Sequence, residues 1–314
     1  MILPKFNYKK AEDIAAAIAL YEKAKGRARY LAGGTDLIPR VKLRLSTPGT
    51  IIDLKGIEQL HTISRQRGSL IIGANVTLFE LKNHDVVKNH FPALYESLDA
   101  TSCETLQMRG TIGGNILQNT RCLLYNKSLE WRTARGFCYK MGGESCNVVP
   151  GASECFSNYC SDNALSLLSL SASVNLAGPG GERKIKLEKL FSGNGMDPFT
   201  MRPGEILTEI RVPVKASSGA YEKLRVRNAI DYPLLGVAVS IRNGSGRVCV
   251  GGIGPAPRVY PLKDLSKTSL KEVAQHARQE AKPVSNAALS PGYRKKMVQT
   301  LTQRAVKRAL KEEK

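Results

Sequence analysis

This 314-residue sequence is poor in acidic residues, in aromatic side chains and in long apolar runs. Its 47 Lys and Arg outnumber 27 Asp and Glu, so the formal net charge is +20. That surplus indicates a solvated basic surface, a nucleic-acid footprint or a docking face for an acidic partner. Aromatic residues make up only 6% of the chain, and no helix-turn-helix, zinc-finger or RNP-like pattern is present, which disfavours nucleic-acid binding. No apolar run approaches the roughly 18 residues needed to span a bilayer.

Several catalytic and nucleotide-binding patterns are also missing. The sequence has no GxGxxG and no P-loop, which disfavours ordinary dinucleotide-binding and ATP-hydrolysing folds. The four histidines are scattered, with no HExxH pair, and none has an evident Cys or Ser partner for nucleophilic catalysis. The N-terminal segment turns charged and helical where a secretory signal needs an apolar core, so we expect a cytoplasmic protein.

The first half of the chain alternates short strands and helices, which predicts an α/β region. Apolar positions spaced as on one face of a helix predict an amphipathic helix from Ala11 to Lys25. Short apolar runs predict strands, and Thr77 with Glu80 forms a capping-box pattern at the start of a helix. The predicted strands are Tyr30–Ala32, Ile51–Leu54 and Ser69–Ala74, and a further helix is predicted over Pro92–Ser102.

The second half is predominantly β before a helical, basic end. A Gly-Pro-Gly-Gly turn at 178–181 predicts a hairpin, and alternation over 205–212 predicts another strand. After a linker at 213–219, three β-rich segments predict an antiparallel meander, and the chain is expected to be helical from Pro261. These segments are 221–227, 234–242 and 247–253.

Two glycine turns lie in the α/β region, AGGTDL at 32–37 and TIGGN at 111–115. Paired glycines after a strand let backbone N–H groups approach a phosphate, and Thr35 adds a hydroxyl donor. Asn115 could bond a ribityl or phosphate oxygen. Either turn alone is common in proteins without a ligand, but the two together suit a long ligand with a pyrophosphate, for which FAD is the natural candidate.

Five of the seven cysteines fall within residues 122–160, a stretch with little periodicity that behaves like an insertion. Their spacing, C-x15-C-x7-C-x8-C-x4-C, matches neither zinc modules nor the compact ferredoxin run. Four thiolates can hold a cubane cluster at any spacing the loop can fold around, whereas an isolated cysteine is usually a buried thiol. Cys103 and Cys249 stand apart and are expected to pack. Cofactor sites without evident bond-making residues are typical of an electron carrier.

The motifs together resemble those of a known family, the FAD-binding medium subunits of the molybdenum hydroxylases, the xanthine oxidase family. The segments that carry the resemblance are AGGTDLIPRVKLR, TIGGN, PGEILTEIRVP, YEKLRVRNAIDYP and GGIGPAPRVYPL. The resemblance implies an α+β fold with a two-lobed, PCMH-like FAD-binding domain over residues 1–214. It also implies a C-terminal domain of the CO dehydrogenase flavoprotein type over 217–314, with a three-stranded antiparallel sheet packed with helices.

An inserted segment at 119–161 resembles the [4Fe-4S] loop of the β subunit of 4-hydroxybenzoyl-CoA reductase. This resemblance implies that Cys122, Cys138, Cys146 and Cys155 are the cluster ligands and that Cys160 is a spectator. The spacing of the cysteines does not itself select four from five.

The family resemblance also implies a set of FAD contacts and no catalytic residue in this chain. In that family pattern Lys223 would place a cation near the flavin ring, where it would stabilise the anionic reduced form, and Asp162 would bond the ribityl chain. The implied contacts are Leu31, Ala32, Gly33, Gly34, Thr35, Asp36, Thr101, Thr111, Ile112, Gly113, Gly114, Asn115, Gln118, Asp162 and Lys223.

The resemblance therefore implies an FAD and [4Fe-4S] electron-transfer subunit of a heteromeric molybdenum-containing oxidoreductase. It implies reductive dehydroxylation of 4-hydroxybenzoyl-CoA with an acidic ferredoxin as donor. Implied partners are a molybdopterin-containing large subunit and a small [2Fe-2S] subunit, in a dimer of heterotrimers. One alternative is the equivalent subunit of a hydroxylase acting on a purine or a different aromatic acyl-CoA. An alternative of another class is a basic binding protein stabilised by zinc.

Overall fold

The computed structural model describes residues 3–215 and 217–312. The outermost residues of the two predicted domains, 1, 2, 313 and 314, lie outside this description, as does residue 216 of the predicted linker. The strands of the described residues are β1 Asn7–Lys10, β2 Ala28–Leu31, β3 Thr50–Asp53, β4 Ile63–Gln66, β5 Ser69–Gly73, β6 Ser173–Gly178, β7 Gly181–Lys186, β8 Ile206–Pro213, β9 Ser218–Leu224, β10 Leu235–Arg242, β11 Ser245–Gly251 and β12 Arg258–Leu262.

The helices are mostly short and lie between the strands, apart from two longer ones at the C-terminal end. They are α1 Ile14–Lys23, α2 Leu37–Lys42, α3 Leu78–Asn83, α4 Asp85–His90, α5 Pro92–Asp99, α6 Glu104–Gln107, α7 Ile112–Ile116, α8 Leu129–Arg135, α9 Asp162–Ser169, α10 Lys267–Glu280 and α11 Pro291–Glu312. Single 3-10 turns span Glu58–His61, Tyr139–Met141 and Leu187–Leu190. Within the described residues no helix combines the length and the apolar character that crossing a bilayer requires.

The N-terminal lobe is a three-stranded parallel sheet in the order β1-β3-β2, with α1 packed against β3. Helix α1 begins where the side chain of Asp13 accepts from Ala16 N, and its small residue Ala17 is buried against Ile52 and Ile57. The predicted amphipathic helix is confirmed. This lobe presents the end of β2, and therefore the first glycine turn, to the rest of the molecule.

The middle of the chain forms a five-stranded antiparallel sheet in the order β4-β5-β8-β6-β7, covered by short helices. Helix α3 begins with the predicted capping box, because Thr77 Oγ1 accepts from Glu80 N while the Glu80 carboxylate accepts from Thr77 N. The core of this layer contains the interior side chains of β5 and β8 together with α5 and α9. Helix α9 in turn packs on the third sheet.

The third sheet corrects one expectation, since it has four antiparallel strands, β12-β11-β10-β9, rather than three. The extra strand β12 pairs with β11 and contains Pro261, where the sequence predicted a helix to begin. Proline cannot donate to a ladder, but an edge strand leaves one row of N–H groups unpaired and tolerates it. Helices α10 and α11 cover the face of this sheet with Val273, Leu301 and Ala305.

The cysteine-containing segment runs between α7 and α9 and holds only α8 and one 3-10 turn. Its two ends are joined by a bridge between Arg121 and Asn158. Asn286, between α10 and α11, binds the insert through its backbone and its side chain. Its backbone carbonyl accepts a hydrogen bond from Leu123 N at 2.9 Å. Its side-chain amide and that of Asn158 donate to each other at 2.8 and 3.1 Å, a set of contacts that we call the clasp.

A fully buried guanidinium supports this clasp. Arg294 of α11 donates to the carbonyl oxygens of Gly252 (2.6 Å), Leu234 (3.1 Å) and Val284 (3.2 Å), and to the Asn286 side chain at 3.4 Å. Burial lowers the pKa of this guanidinium. Hydrogen bonds to a charged group contribute about 1.5–3 kcal/mol each to the free energy of unfolding. Arg294 therefore contributes strongly to holding α11 against the rest of the protein.

Replacing Arg294 with Met should lower the free energy of unfolding by at least about 3 kcal/mol, because buried carbonyl acceptors are left without a donor. Urea-induced unfolding monitored by circular dichroism measures the change. The matched control is Lys296→Met on the same helix, where the exposed side chain should change stability by no more than about 0.5 kcal/mol. Equal unfolding midpoints for the two variants would contradict the assignment.

Candidate functional site

The first glycine turn leaves four backbone donors without a protein partner. The N–H groups of Gly33, Gly34, Thr35 and Asp36 donate to no acceptor among the described residues. Gly34 has a φ of +79°, which an L side chain rarely adopts. The turn therefore offers a run of free N–H groups at the end of β2, as expected for an anion-binding loop.

The second glycine turn behaves differently, because it opens the short helix α7. The N–H groups of Ile112 and Gly113 donate to backbone oxygens at 2.9 Å, and Gly114 N donates to Thr111 Oγ1 at 3.1 Å. The expectation that both turns offer the same free donors is therefore wrong at these three positions. The side chain of Asn115 remains beside the turn, its carbonyl oxygen accepting from Ser161 Oγ at 2.6 Å.

Both turns are glycine because other backbone lies against them. A Cβ on Gly33 would stand 1.8 Å from the carbonyl oxygen of Arg109, and one on Gly113 would stand 2.8 Å from the Cβ and carbonyl oxygen of Ala74. A side chain at either position would force the backbone apart. Gly33 thus allows the N-terminal lobe to contact the loop that precedes α7, and Gly113 allows α7 to pack on the residue that follows β5.

Two neighbouring cavities lie on either side of this contact and share Thr35, Asp36, Thr111 and Gly114. Cavity A is lined by Thr35, Asp36, Leu78, Thr101, Ser102, Leu106, Gly110, Thr111, Gly114, Asn115, Gln118, Cys160, Asp162, Ile230, Asp231 and Tyr232. Cavity B is lined by Arg29, Tyr30, Ala32, Gly33, Gly34, Thr35, Asp36, Leu37, Arg40, Leu54, Ala74, Asn75, Thr111, Gly113, Gly114, Leu117, Glu205, Ile206 and Leu207.

The cavity volumes are about 150 Å³ for cavity A and about 230 Å³ for cavity B. Neither reaches the roughly 300 Å³ at which ligand pockets for drug-sized molecules begin. A ligand as long as FAD would therefore have to occupy both and cross the shared wall. The free N–H groups of the first turn lie at that crossing, which suits a pyrophosphate in the middle of the ligand.

Twelve of the fifteen residues implied as FAD contacts line these cavities, and Leu31, Ile112 and Lys223 do not. Lys223 instead lies behind the cavity wall, where its ammonium pairs with Asp162 Oδ1 at 3.0 Å and donates to Ala100 O at 2.9 Å. Asp162 Oδ1 also accepts from Tyr221 OH at 2.6 Å. Burial raises the pKa of the Asp162 carboxyl, while Lys223 and Tyr221 oppose the rise. The charge of Lys223 therefore influences cavity A indirectly, because its ion-pair partner Asp162 lines that cavity.

Sequence reasoning missed the loop between β9 and β10, which supplies Ile230, Asp231 and Tyr232 to cavity A. The guanidinium of Arg121 lies 3.8 Å from the centre of the Tyr232 ring, and Arg121 also approaches Asp36 at 3.6 Å. The sequence signal for this loop is its place in the YEKLRVRNAIDYP motif, from which the family resemblance implied only Lys223 as an FAD contact.

A third cavity, the thiol cavity, lies within the insert and collects four of its five cysteines. It is lined by Cys122, Leu124, Tyr125, Cys138, Tyr139, Lys140, Cys146, Asn147, Val148, Cys155, Phe156 and Ser157. All seven cysteines of the chain are free thiols. Cys160 is placed apart from the four, in the wall of cavity A, where burial raises its pKa to about 12.

The four thiols surround the thiol cavity without converging on one point. Within the described residues, no three His, Cys, Asp or Glu side chains form a group that could hold a metal ion as they stand. Burial raises the pKa of Cys122 and of Cys138, and the neighbouring thiolates add to the rise in both cases. Cys122 and Cys138 therefore each lie near other thiols of the cavity.

Lys140 lies in the wall of the thiol cavity. Its ammonium donates to Asn119 Oδ1 and Thr120 Oγ1, each at 2.6 Å, and to Thr120 O at 3.2 Å. Burial lowers its pKa to about 8, although the nearby thiolates act in the opposite direction. Asn119 and Thr120 directly follow Gln118 of cavity A, so the two kinds of cavity are close along the chain.

Comparison with known proteins gives a consistent result. The family described as the FAD binding domain in molybdopterin dehydrogenase matches residues 4–215. The chain is 31% identical to the FAD-binding subunit of an Escherichia coli aldehyde oxidoreductase, over 80% of this chain and 82% of that protein. It is 30% identical to the carbon monoxide dehydrogenase medium chain of Afipia carboxidovorans, over 98% of each. A crystal structure of Cu,Mo-CO dehydrogenase aligns with a TM-score of 0.78 at 27% identity, covering 98% of this chain and 99% of that one.

Replacing Gly33 with Ala should weaken FAD binding at least tenfold, about 1.4 kcal/mol, because the added Cβ drives the first turn away from Arg109. Flavin absorbance of the purified protein and titration of the apoprotein with FAD measure the effect. Gly56→Ala is the control, since its Cβ would meet nothing closer than Ala11 O at 3.6 Å. Wild-type affinity in the Gly33 variant would show that the close approach does not shape the site.

Proposed function

The chain belongs to the family of FAD-binding domains of molybdopterin dehydrogenases and is a flavoprotein subunit of an oxidoreductase. We propose that it transfers electrons between FAD and one [4Fe-4S] cluster. The observation that carries the proposal is the thiol cavity, which four free cysteines of one insert line beside the flavin-binding region. No residue of this chain makes or breaks substrate bonds in this function. When bound, the two cofactors supply the electron storage and transfer.

The two cavities suggest how the chain holds FAD. The free N–H groups of residues 33–36 bind the pyrophosphate, and the remainder of the ligand extends into cavities A and B. Of the fifteen residues implied by the family pattern, the twelve that line the cavities contact FAD. Leu31 and Ile112 support the walls of the cavities from behind. Lys223 forms an ion pair with Asp162, and Asp162 in turn contacts the ligand. This assignment extends the family's FAD binding to individual side chains.

The cluster is proposed on the chemistry of the donor set. Iron–sulfur clusters are held by Cys thiolates, and Cys122, Cys138, Cys146 and Cys155 supply four. A structural zinc ion needs all four sulfurs about 2.3 Å from one point, whereas a cubane takes each thiolate on a different iron. Four thiols that line one cavity match the donor set of a cubane, and metal analysis distinguishes it from the zinc alternative. Cys160 remains a spectator.

The proposed holoenzyme is a cytoplasmic molybdenum enzyme of the 4-hydroxybenzoyl-CoA reductase type. The substrate would bind on a molybdopterin-containing large subunit, and a small [2Fe-2S] subunit would connect it to this chain, in a dimer of heterotrimers. The two domains proposed for this chain, 1–214 and 217–314, meet at the linker between β8 and β9. The insert supports this proposal, since it resembles the cluster loop of that reductase. The second candidate is the same subunit of an enzyme acting on a purine or another aromatic acyl-CoA.

An acidic ferredoxin is the proposed electron donor, docking on the insert. Four large apolar side chains of the insert are exposed there, Leu123, Leu129, Trp131 and Phe137. Exposed basic residues Lys127 and Arg135 lie in the same short stretch of chain. An apolar patch with basic neighbours suits a partner of opposite charge, and the net charge of +20 would raise its association rate.

Replacing Cys122, Cys138, Cys146 or Cys155 singly with Ser should lower the iron and sulfide content below four of each per FAD, because each thiolate holds one iron. Metal and sulfide analysis after anaerobic purification measures the change. Cys103→Ser and Cys160→Ser are the controls and should keep full content, since neither lines the thiol cavity. A full complement in any of the four variants removes that cysteine from the ligand set, and zinc without iron in the wild type refutes the cluster.

Reduction of the protein by a ferredoxin should slow as salt rises, because the Debye length falls from about 10 Å at 0.1 M to about 3 Å at 1 M. Stopped-flow absorbance of the flavin at increasing salt measures the rate. Reduction by dithionite, which needs no protein docking, is the control for salt effects on the chain itself. A ferredoxin rate that does not depend on salt would argue against docking steered by the basic surface.

A further inference from the structure

Lys140 is a cation at the boundary between the thiol cavity and the flavin-binding region. It lies in the 3-10 turn Tyr139–Met141, two residues after Cys138. Its ammonium donates to three oxygen atoms of Asn119 and Thr120, so it is fixed in one position. Its Nζ also lies 4.6 Å from the centre of the Tyr125 ring, another lining residue of the cavity.

The hydrogen-bond partners of this ammonium are neutral. None of the ion pairs among the described side chains includes Lys140. Removing a cation from water without an opposite charge is costly. The thiolates of the cavity that it lines are the available anions, and a cluster bound by four thiolates is itself an anion.

A continuous set of contacts places Lys140 between the two sites. On one side, Thr120 Oγ1 also accepts from Ser157 Oγ at 2.7 Å, and Ser157 Oγ lies 3.2 Å from Cys155 Sγ. On the other side, Asn119 N donates to Asp36 Oδ2 at 3.5 Å, and Asp36 lines both flavin-binding cavities. One side chain therefore fixes the segment that separates the thiol cavity from cavity A.

We infer that Lys140 is the counter-cation of the proposed cluster and that its charge favours the reduced cluster. The inference rests on the proposed function, because it requires the cluster in the thiol cavity. Reduction adds one negative charge beside a fixed positive one, and that attraction is strong where water is largely excluded. Lys140 is thus a positioning and tuning residue: it touches no substrate, but it sets the potential at which the cluster accepts an electron.

The test compares Lys140→Gln, which removes the charge, with Lys140→Arg, which keeps it. Lys189→Gln is the matched control, because Lys189 is an exposed lysine of another 3-10 turn, Leu187–Leu190. Redox titration of the complete enzyme, followed by the EPR signal of the reduced cluster, gives the midpoint potential. At a fixed solution potential, Lys140→Gln should lower the ratio of reduced to oxidised cluster at least tenfold, a shift of about 59 mV for one electron. The other two variants should keep the wild-type ratio.

Iron, sulfide and FAD analysis of every variant separates the outcomes. A wild-type protein without iron and sulfide refutes the proposed function itself, before Lys140 is addressed. A fully loaded Lys140→Gln protein with the wild-type midpoint overturns the inference, as does a Lys140→Arg protein that keeps FAD and loses the cluster. Loss of the cluster in Lys140→Gln with full FAD supports the inference if Lys140→Arg stays loaded, because the charge is then what retains the anion.

Discussion

The flavin-binding region depends on the contact of two backbones that only glycine permits. Gly33 lies against the carbonyl of Arg109, and Gly113 lies against Ala74, at distances that exclude a Cβ. The Gly33 contact joins the parallel lobe to the layer that carries the second turn, where cavities A and B share a wall. The free N–H groups at the end of β2 therefore lie beside this shared wall. The chemistry of the site is therefore a consequence of packing between two lobes.

Side-chain hydrogen bonds attach the insert to the C-terminal helices and fix its interior. Asn286 and Arg294 fasten it to the C-terminal helices, and Lys140 fastens its interior to the segment that borders the flavin-binding region. The insert contains little regular secondary structure, so these side-chain hydrogen bonds, rather than helices and strands, fix the path of its backbone. The arrangement explains how an irregular loop can hold four thiols around one cavity.

Local signals in the sequence predicted the local structure. The capping box at Thr77, the amphipathic helix α1 and the buried strands depend on neighbouring residues, and they are found as expected. The use of the Ile112 and Gly113 N–H groups was missed because their acceptors, Val76 O and Ala74 O, lie far away in the chain, whereas the acceptor of Gly114 N is the nearby Thr111 Oγ1. Strand β12 was missed because Pro261 suppresses a strand prediction unless the strand is at an edge. The separation of Cys160 from the other four cysteines of the insert arises from the fold. The spacing of the cysteines along the sequence does not indicate it.

The clasp on the insert comes from residues near the end of the chain. A ribosome releases the insert long before it releases Asn286, so during synthesis the loop exists for a time without its fastener. The hydrogen bonds of Asn286 to Leu123 and Asn158 consequently form only after the segment between α10 and α11 has been synthesised.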